Sequence, residues 1–572
     1  MFIKVTEKKI AWGKPVLAVL ITLSVYSFVM LCYLQGPLQG NFNHFFMPAE
    51  MFGIPAQLKA HGITELYQGS IQTGWDGQFY YYIANDPLSL KDTVQHIDSN
   101  AYRYQRIGLP LLAYLVSKLT LQSWVSPLTY YLSSLFVILF AVGRAAFFFQ
   151  KRNLSPYVIL FWALSCGPLV TQLNGLPDAA ADGFLIIGLV SLIDRTSWRD
   201  TVIAIVGMTF AALSREVYIL IPLFIACFLV LENIRFGGSK AFFLFKNMTN
   251  LLGKLYLYNI PILVAGIWQV FIRMKFGVSP SSQASGVLSW PLLSAWHYMQ
   301  AGFLGNTGRI AHLESFGIFL FLLLLLLNIV VSGRFLLQTR LPIHRGIAAA
   351  FLSITLMYFC FGNTLMKDYT GYFKAVSVYL FVIPFVIVLQ QKKMTVFMRI
   401  FLASLMLYFD AFLWGRINAA PPSESEPEVH YATSPPVCLK DYHAKLELVS
   451  SKNLSEGNLL KRFLLDRRSL MQIKITNLSP DTFVPFQGQG GVNLSYQWVR
   501  MNNGAFVKDG IRTSLPDILA PYQSVILPIK VNFPRILGHY ELKLSLVQEG
   551  CAWFYLVQPD SAFTMPYTVG LW

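Results

Sequence analysis

Long apolar runs separated by short basic segments organise the chain as far as residue 416. Val16–Leu34, Ser126–Phe149, Pro156–Asn174, Leu176–Ile193, Thr201–Leu213, Val217–Leu231, Tyr256–Phe276, Phe316–Val331, Gly346–Phe361, Tyr372–Leu389 and Val396–Trp414 each read as one membrane crossing. A crossing needs ~20 apolar residues, so the expectation is a multi-pass α-helical membrane bundle of about eleven spans. Ile107–Leu119 is too short to span and follows a basic pair, so it reads as an interfacial or re-entrant helix. Residues 417–430, with Pro-Pro-Ser-Glu-Ser-Glu-Pro at their centre, read as a linker. Beyond them the period falls to two. Leu470–Ile475, Val492–Val499, Ser524–Val531 and Tyr540–Val547 read as strands separated by turn signals such as Asn477-Leu-Ser-Pro. Residues 431–572 are therefore expected to form an all-β sandwich.

Charge gives the expected sidedness. Lys4, Lys8, Lys9 and Lys14 precede the first span, which places the N-terminus in the cytoplasm. Residues 36–106 then form a first external loop, and the β domain also lies outside. Of the 572 residues, 55% are hydrophobic and 13% charged, well below the roughly 25% charge of soluble domains. The formal net charge of +16 does not point to nucleic acid, because Lys and Arg gather at the ends of apolar runs. Val16–Leu34 is too long for a cleaved signal segment and stays a span. Cys32, Cys166, Cys227 and Cys360 fall within apolar runs, as inert packing residues. Cys438 and Cys551 share the β domain, where a disulfide is open to them outside the cytoplasm.

Ionisable groups inside hydrocarbon cost ~2.5–3.5 kcal/mol even on lenient scales, so those near spans are functional candidates. Asp178 and Asp182 sit four apart on one helical face, at the outer start of a span. Arg215 and Glu216 sit midway between two inner basic ends. The legs on either side run about 17 residues, roughly 25 Å, against a core of ~30 Å. That turn should be recessed in a protein-lined cavity. Arg309, His312, Lys367, Asp368 and Lys374 fall on other outer loops.

The first loop carries the most informative stretch: Gly74-Trp-Asp-Gly-Gln-Phe-Tyr-Tyr-Tyr-Ile-Ala-Asn-Asp-Pro, then Asp98 and Tyr102-Arg-Tyr-Gln-Arg. Asp76, between Trp75 and Gly77, suits a general base tuned by partial burial. Arg103 and Arg106, three apart, suit a phosphate grip at headgroup level. An interfacial helix with a Tyr belt and snorkelling arginines would use the same composition.

These features together resemble the GT-C superfamily of membrane glycosyltransferases, in a bacterial branch distantly similar to the protein and lipid mannosyltransferases. The resemblance covers about residues 1–415. It rests on Trp75-Asp76-Gly77-Gln78-Phe79-Tyr80-Tyr81, on Tyr102-Arg103-Tyr104-Gln105-Arg106, and on one span followed by a long external loop. Ser214-Arg215-Glu216 is similar to a polar break beside the family's donor pocket. The resemblance implies Asp76 as catalytic base, with Asp86 and Asp98 as alternates. It implies Arg103, Arg106, Arg215 and Lys374 on the donor phosphate, and Trp75, Gln78, Tyr80, Tyr104, Asp178, Asp182 and Glu216 around the pocket. The first loop has no adjacent Asp-Asp or Asp-Glu pair, so no cofactor is assigned and a divalent metal stays open. The implied partners are a polyprenyl-phosphate-linked sugar donor, a glycan, lipid or protein acceptor, and membrane lipids. The implied location is a bacterial inner membrane. The C-terminal region resembles Ig-like modules appended to polysaccharide enzymes, an accessory domain with Trp498, Trp553 and Tyr555 available for sugar stacking.

Two other functions fit a multi-pass chain. A transporter or flippase of lipid-linked glycan would place its ionisable groups near the midplane and show inverted repeats. No repeat is visible here. An O-antigen-type polymerase would carry a large arginine-rich external loop late in the bundle, where the loops of this chain are short.

Overall fold

The computed structural model describes residues 12–417 apart from 36–37, 39, 47, 50, 65–73, 237–240, 284–285 and 305–308. It also describes residues 438–569 apart from 454–467, 486–490, 502–505, 511, 535–537 and 550. The expected linker lies almost wholly outside these residues. Two compact units divide the chain, a helical one within residues 1–417 and a second carrying residues 418–572.

Among the described residues, seven helices are long and apolar enough to cross a membrane: Gly13–Gln35, Pro127–Lys151, Glu216–Ile234, Leu255–Phe276, Leu313–Gln338, Tyr369–Leu389 and Val396–Trp414. An eighth is counted if the pair Pro156–Ala163 and Cys166–Leu173, bent by 52°, forms one span. Three other expected crossings coincide with helices of 16 or 17 residues, Asp178–Ile193, Trp198–Ser214 and Pro342–Tyr358. Asp178–Ile193 is buried almost throughout, and its sequence is apolar or glycine apart from Asp178, Asp182 and Ser191. This is the make-up of a membrane protein.

Local chemistry sets the helix ends. Ser126 caps Pro127–Lys151 through its hydroxyl on the Thr129 amide, with Pro127 at the first position. Ser197 and Asp200 form a reciprocal capping box at the start of Trp198–Ser214. At that same end of the bundle Arg152 and Lys151 reach Asp194, and Arg144 reaches Asp200. Asp178, Ser214 and Glu216 stand at the other ends of the helices concerned.

The first loop and the segment that follows it build short helices at that second end: Ala56–Lys59, Gly77–Asn85 and Asn100–Tyr104, then Gly108–Leu119. Two of them start on glycines that admit a close approach. A Cβ on Gly77 would lie 1.8 Å from the Asn174 carbonyl oxygen, and one on Gly108 would lie 2.0 Å from the Ser214 hydroxyl oxygen. Gly77 thereby seats the Asp76 turn on the end of Cys166–Leu173, and Gly108 seats the Arg106 segment on the Ser214 turn.

The second unit holds two antiparallel sheets. One has the order β1 (Ala444–Asn453), β2 (Arg468–Asn477), β6 (Ser524–Asn532). The other centres on β3 (Val492–Arg500) and β7 (Gly538–Gln548), with β4 (Phe506–Asp509) and β5 (Thr513–Ser514) on β3. β8 (Ala552–Trp553) and β9 (Ala562–Val569) pair with β7. The four expected strands fall inside β2, β3, β6 and β7. Alternate residues of both sheets, including Met471, Ile473, Leu527, Ile529, Leu494, Trp498, Leu542 and Leu544, form one hydrophobic cluster. Trp498 is 1% exposed, a core residue without a face for a ligand. Cys438 and Cys551 are joined in a disulfide with Cα atoms 5.6 Å apart.

Candidate functional site

Asp76 precedes the helix Gly77–Asn85, and Arg103 lies in Asn100–Tyr104. Packing of the two helices lays the Arg103 guanidinium across two carboxylates. Its Nη1 and Nη2 donate to the two Asp76 oxygens at 2.8 and 2.9 Å, and its Nε and Nη2 donate to Asp98 at 2.9 and 2.8 Å. The planar fork of arginine makes this double bidentate bridge possible. The Phe79 ring lies 4.9 Å beneath the guanidinium carbon. Arg103 is 9% exposed at the side chain, whereas Asp76 is 50% exposed. Burial works to raise the Asp76 carboxyl, but the charge and hydrogen bonds of Arg103, aided by Lys374 and Arg106, hold it below the usual range.

Arg106 pairs with Glu216, Nε to Oε2 at 3.0 Å and Nη2 to Oε1 at 2.9 Å, and also donates to the Tyr102 hydroxyl. Arg215 follows the last turn of Trp198–Ser214 in an extended conformation. Its Nη1 lies 3.6 Å from Asp182 and donates to the Tyr218 hydroxyl at 3.2 Å. Asp182 also accepts from Tyr218, from Trp162 Nε1 and from the Ser377 hydroxyl. The turn expected to be recessed is so: Arg215 is 6% exposed and Asp182 1%.

Asp178 and Lys374 complete the cluster. Asp178 is 5% exposed and lies within electrostatic range of Lys374, Arg215 and Arg106. Lys374, half-buried on Tyr369–Val376, acts on both Asp76 and Asp178 and forms no ion pair among the described residues. Three buried hydroxyls beside these charges have no hydrogen-bond partner among the described residues: Tyr80, Ser214 and Tyr358. Burial pushes the Tyr80 hydroxyl up to about 12 despite nearby Arg106 and Arg103, so it stays a neutral donor.

Not every expected residue joins this cluster. Asp86, 4% exposed at the far end of Gly77–Asn85, accepts the Leu90 and Lys91 amides, and its carbonyl accepts the Tyr104 hydroxyl. Gln78 is fully buried and accepts the Ala49 amide. Tyr104 packs in the core, with its carbonyl taken by Trp268 Nε1. These three shape the loop. Trp75 is half-buried next to Asp76. Asp368 caps Tyr369–Val376, and Lys367 is exposed. The side chains of Arg309 and His312 lie outside the described residues.

Trp162, Tyr218, Tyr358 and Ser377, absent from the sequence reading, surround Asp182 and Arg215. Of these, Tyr218 alone left a signal, three positions after Arg215 on the same turn. Among the described residues no group of three or more His, Cys, Asp or Glu side chains could hold a metal ion. Each of the clustered acids other than Asp178 is bonded to an arginine or lies within ion-pair distance of one. Comparison with protein-family models gives no match, and neither does comparison with curated proteins.

Proposed function

We propose that this chain is a membrane glycosyltransferase of GT-C type. It moves a sugar from a polyprenyl-phosphate carrier to a hydroxyl of a glycan, lipid or protein acceptor at the outer face of the membrane. The observation that carries this reading is a half-exposed carboxylate, at one end of the bundle, within electrostatic range of a cation that forms no ion pair among the described residues. The two are Asp76 and Lys374.

In this reading Asp76 accepts the proton of the acceptor hydroxyl as its oxygen attacks the anomeric carbon. The bond from that carbon to the phosphate oxygen breaks, and the lipid phosphate leaves as a dianion without needing a proton. Displacement in line inverts the anomeric centre. Arg103 lowers the intrinsic basicity of Asp76, but it keeps the carboxylate ionised and fixes both oxygens. Lys374 is the first choice for the departing phosphate, because Arg106 and Arg215 already share their charge with Glu216 and Asp182. Arg103 is then a positioning residue. Tyr80, a neutral buried donor, supplies a further hydrogen bond.

The accompanying topology has eleven crossings, counting the bent pair once and the three shorter helices as spans. The β unit is then an extracytoplasmic Ig-like sandwich, a placement that its disulfide favours. The test uses purified full-length protein in lipid, a panel of radiolabelled polyprenyl-phosphate sugars, and release of the lipid phosphate as readout. One member of the panel should be consumed, and Asp76→Asn should slow transfer by about 10²–10⁴-fold while the protein remains inserted. Full activity in that variant would remove Asp76 from the chemistry. No release from any sugar donor would count against the whole reading.

A further inference from the structure

The helix Gly77–Asn85 has Asp76 at one end and a separate cavity at the other. This cavity, about 340 Å³, is lined by His61, Lys91, Lys118, Leu88, Leu90 and Tyr114, among others. That volume falls within the range of small-ligand sites, about 300–1,000 Å³. Two ammonium groups face it. Lys91 donates to the Gln57 side-chain oxygen, and Lys118 donates to the Ser123 carbonyl at 3.4 Å. An ammonium has three N–H donors, so each lysine retains capacity for a further acceptor. His61 stacks on Trp124 at 4.7 Å, which holds the imidazole at the wall. The one carboxylate of the lining, Asp86, already accepts two backbone amides.

Exposed apolar side chains stand in the lining, at Leu90, and close to it in sequence, at Leu119 and Leu121. Leu90 is 75% exposed, Leu119 83% and Leu121 94%. Leu121 is also in a costly backbone state. It follows the helix Gly108–Leu119 with φ +58°, where the Leu121 amide bonds the Lys118 carbonyl and the Gln122 amide bonds the Ser117 carbonyl. This is the Schellman ending, and its left-handed position is normally glycine. A leucine held there, with its side chain in the open, contributes nothing to the protein core. Left-handed strain in a bulky residue points to a use for the side chain.

We infer that this cavity binds an anionic phospholipid, with the headgroup phosphate on Lys91 and Lys118 and the acyl chains on Leu90, Leu119 and Leu121. Each lysine is next in sequence to an exposed leucine, Lys91 to Leu90 and Lys118 to Leu119, a pairing of charge and apolar surface that matches the two zones of a lipid leaflet boundary. The site does not depend on the transfer chemistry proposed for Asp76.

Native mass spectrometry of the detergent-purified full chain tests this, with phosphatidylglycerol and phosphatidylcholine as probes and inorganic phosphate as competitor. Phosphatidylglycerol should be retained at least tenfold more tightly than phosphatidylcholine, and Lys91→Gln with Lys118→Gln should erase that preference. Leu121→Gly relaxes the backbone, so the chain should fold at least as well while retention of both lipids falls. Equal retention of the two lipids by the wild type, or an unchanged preference in the double variant, would overturn the inference. Displacement by millimolar inorganic phosphate would overturn it as well, by showing a site for a free anion.

Discussion

Asp76 keeps half of its side-chain surface in solvent while both of its oxygens are bonded to Arg103. Its folded carboxyl lies below the usual value of 3.8. The stabilisation from this pairing is therefore fully present above the unfolded value, near 3.9, and is lost as pH falls through the folded one. A rate profile for transfer should accordingly show no acid limb from Asp76 between neutrality and about pH 4; a limb near pH 6 would assign the base elsewhere. Arg103→Ala leaves two carboxylates facing each other. Removing one partner of a buried pair costs about 3–5 kcal/mol, and the half-exposure of Asp76 moves the expected loss to about 2–3 kcal/mol. Thermal or denaturant unfolding in detergent measures it, and no loss would show that the bridge is not formed in solution. Sequence made Asp76, Arg103 and Arg106 legible as candidates, through an acid between Trp75 and Gly77 and two arginines three apart. It did not reveal their partners. Spacing of three pointed to a shared phosphate, whereas each arginine pairs with acids from its own side of the loop or from Glu216, 110 positions away. Local spacing carries no information on such long-range pairing.

Gly77 and Gly108 matter at the scale of elements, because each lets a short helix meet a turn of the bundle backbone to backbone. With Asn174 1.8 Å from a Cβ on Gly77, alanine there must push the Asp76 turn off Cys166–Leu173. Gly77→Ala should cost about 1–3 kcal/mol by overpacking and reduce transfer out of proportion to the amount of folded protein. Gly13, which has nothing within 4 Å, is the matched control for alanine substitution. Unchanged transfer in Gly77→Ala would mean that the turn can shift without harm. Seven of the eleven expected crossings coincide with helices long and apolar enough to span, legible from apolar length alone, but the 52° bend within 156–173 was not. That bend falls where Cys166–Leu173 starts afresh after Ser165, and an apolar run does not announce a change of axis. In the β unit β2, β3, β6 and β7 were visible as runs of apolar and β-branched residues, whereas the longer strands β1 and β9 were not. The edge pieces β4, β5 and β8, of two to four residues, are too short to show a period.

For the molecule as a whole, the disulfide Cys438–Cys551 closes a loop with a sequence separation of 113 residues. Loops of this size contribute about 2–5 kcal/mol by restricting the unfolded chain. Cys438→Ser with Cys551→Ser, or reduction, should lower the unfolding midpoint of the β unit and leave the helical unit unchanged. A midpoint unaffected by reductant would show that the two sulfurs are not bonded in the purified protein. The two-unit division was legible because the hydrophobic period changes from helical to alternating after residue 430. The pairing of the two cysteines was legible only as an option, since shared location in a domain does not fix distance.

Cys438 precedes β1 and Cys551 follows β7, so the bond brackets seven of the nine described strands, which gives it a mechanical role. Tension entering at Cys438 would pass through the sulfur bridge and around the strands between the two cysteines. About 380 Å of contour, at ~3.4 Å per residue, is thus shielded from stretching until the bridge is cut. Tethered by its ends in an optical trap, the oxidised β unit would yield only a short extension, and adding reductant would release the rest.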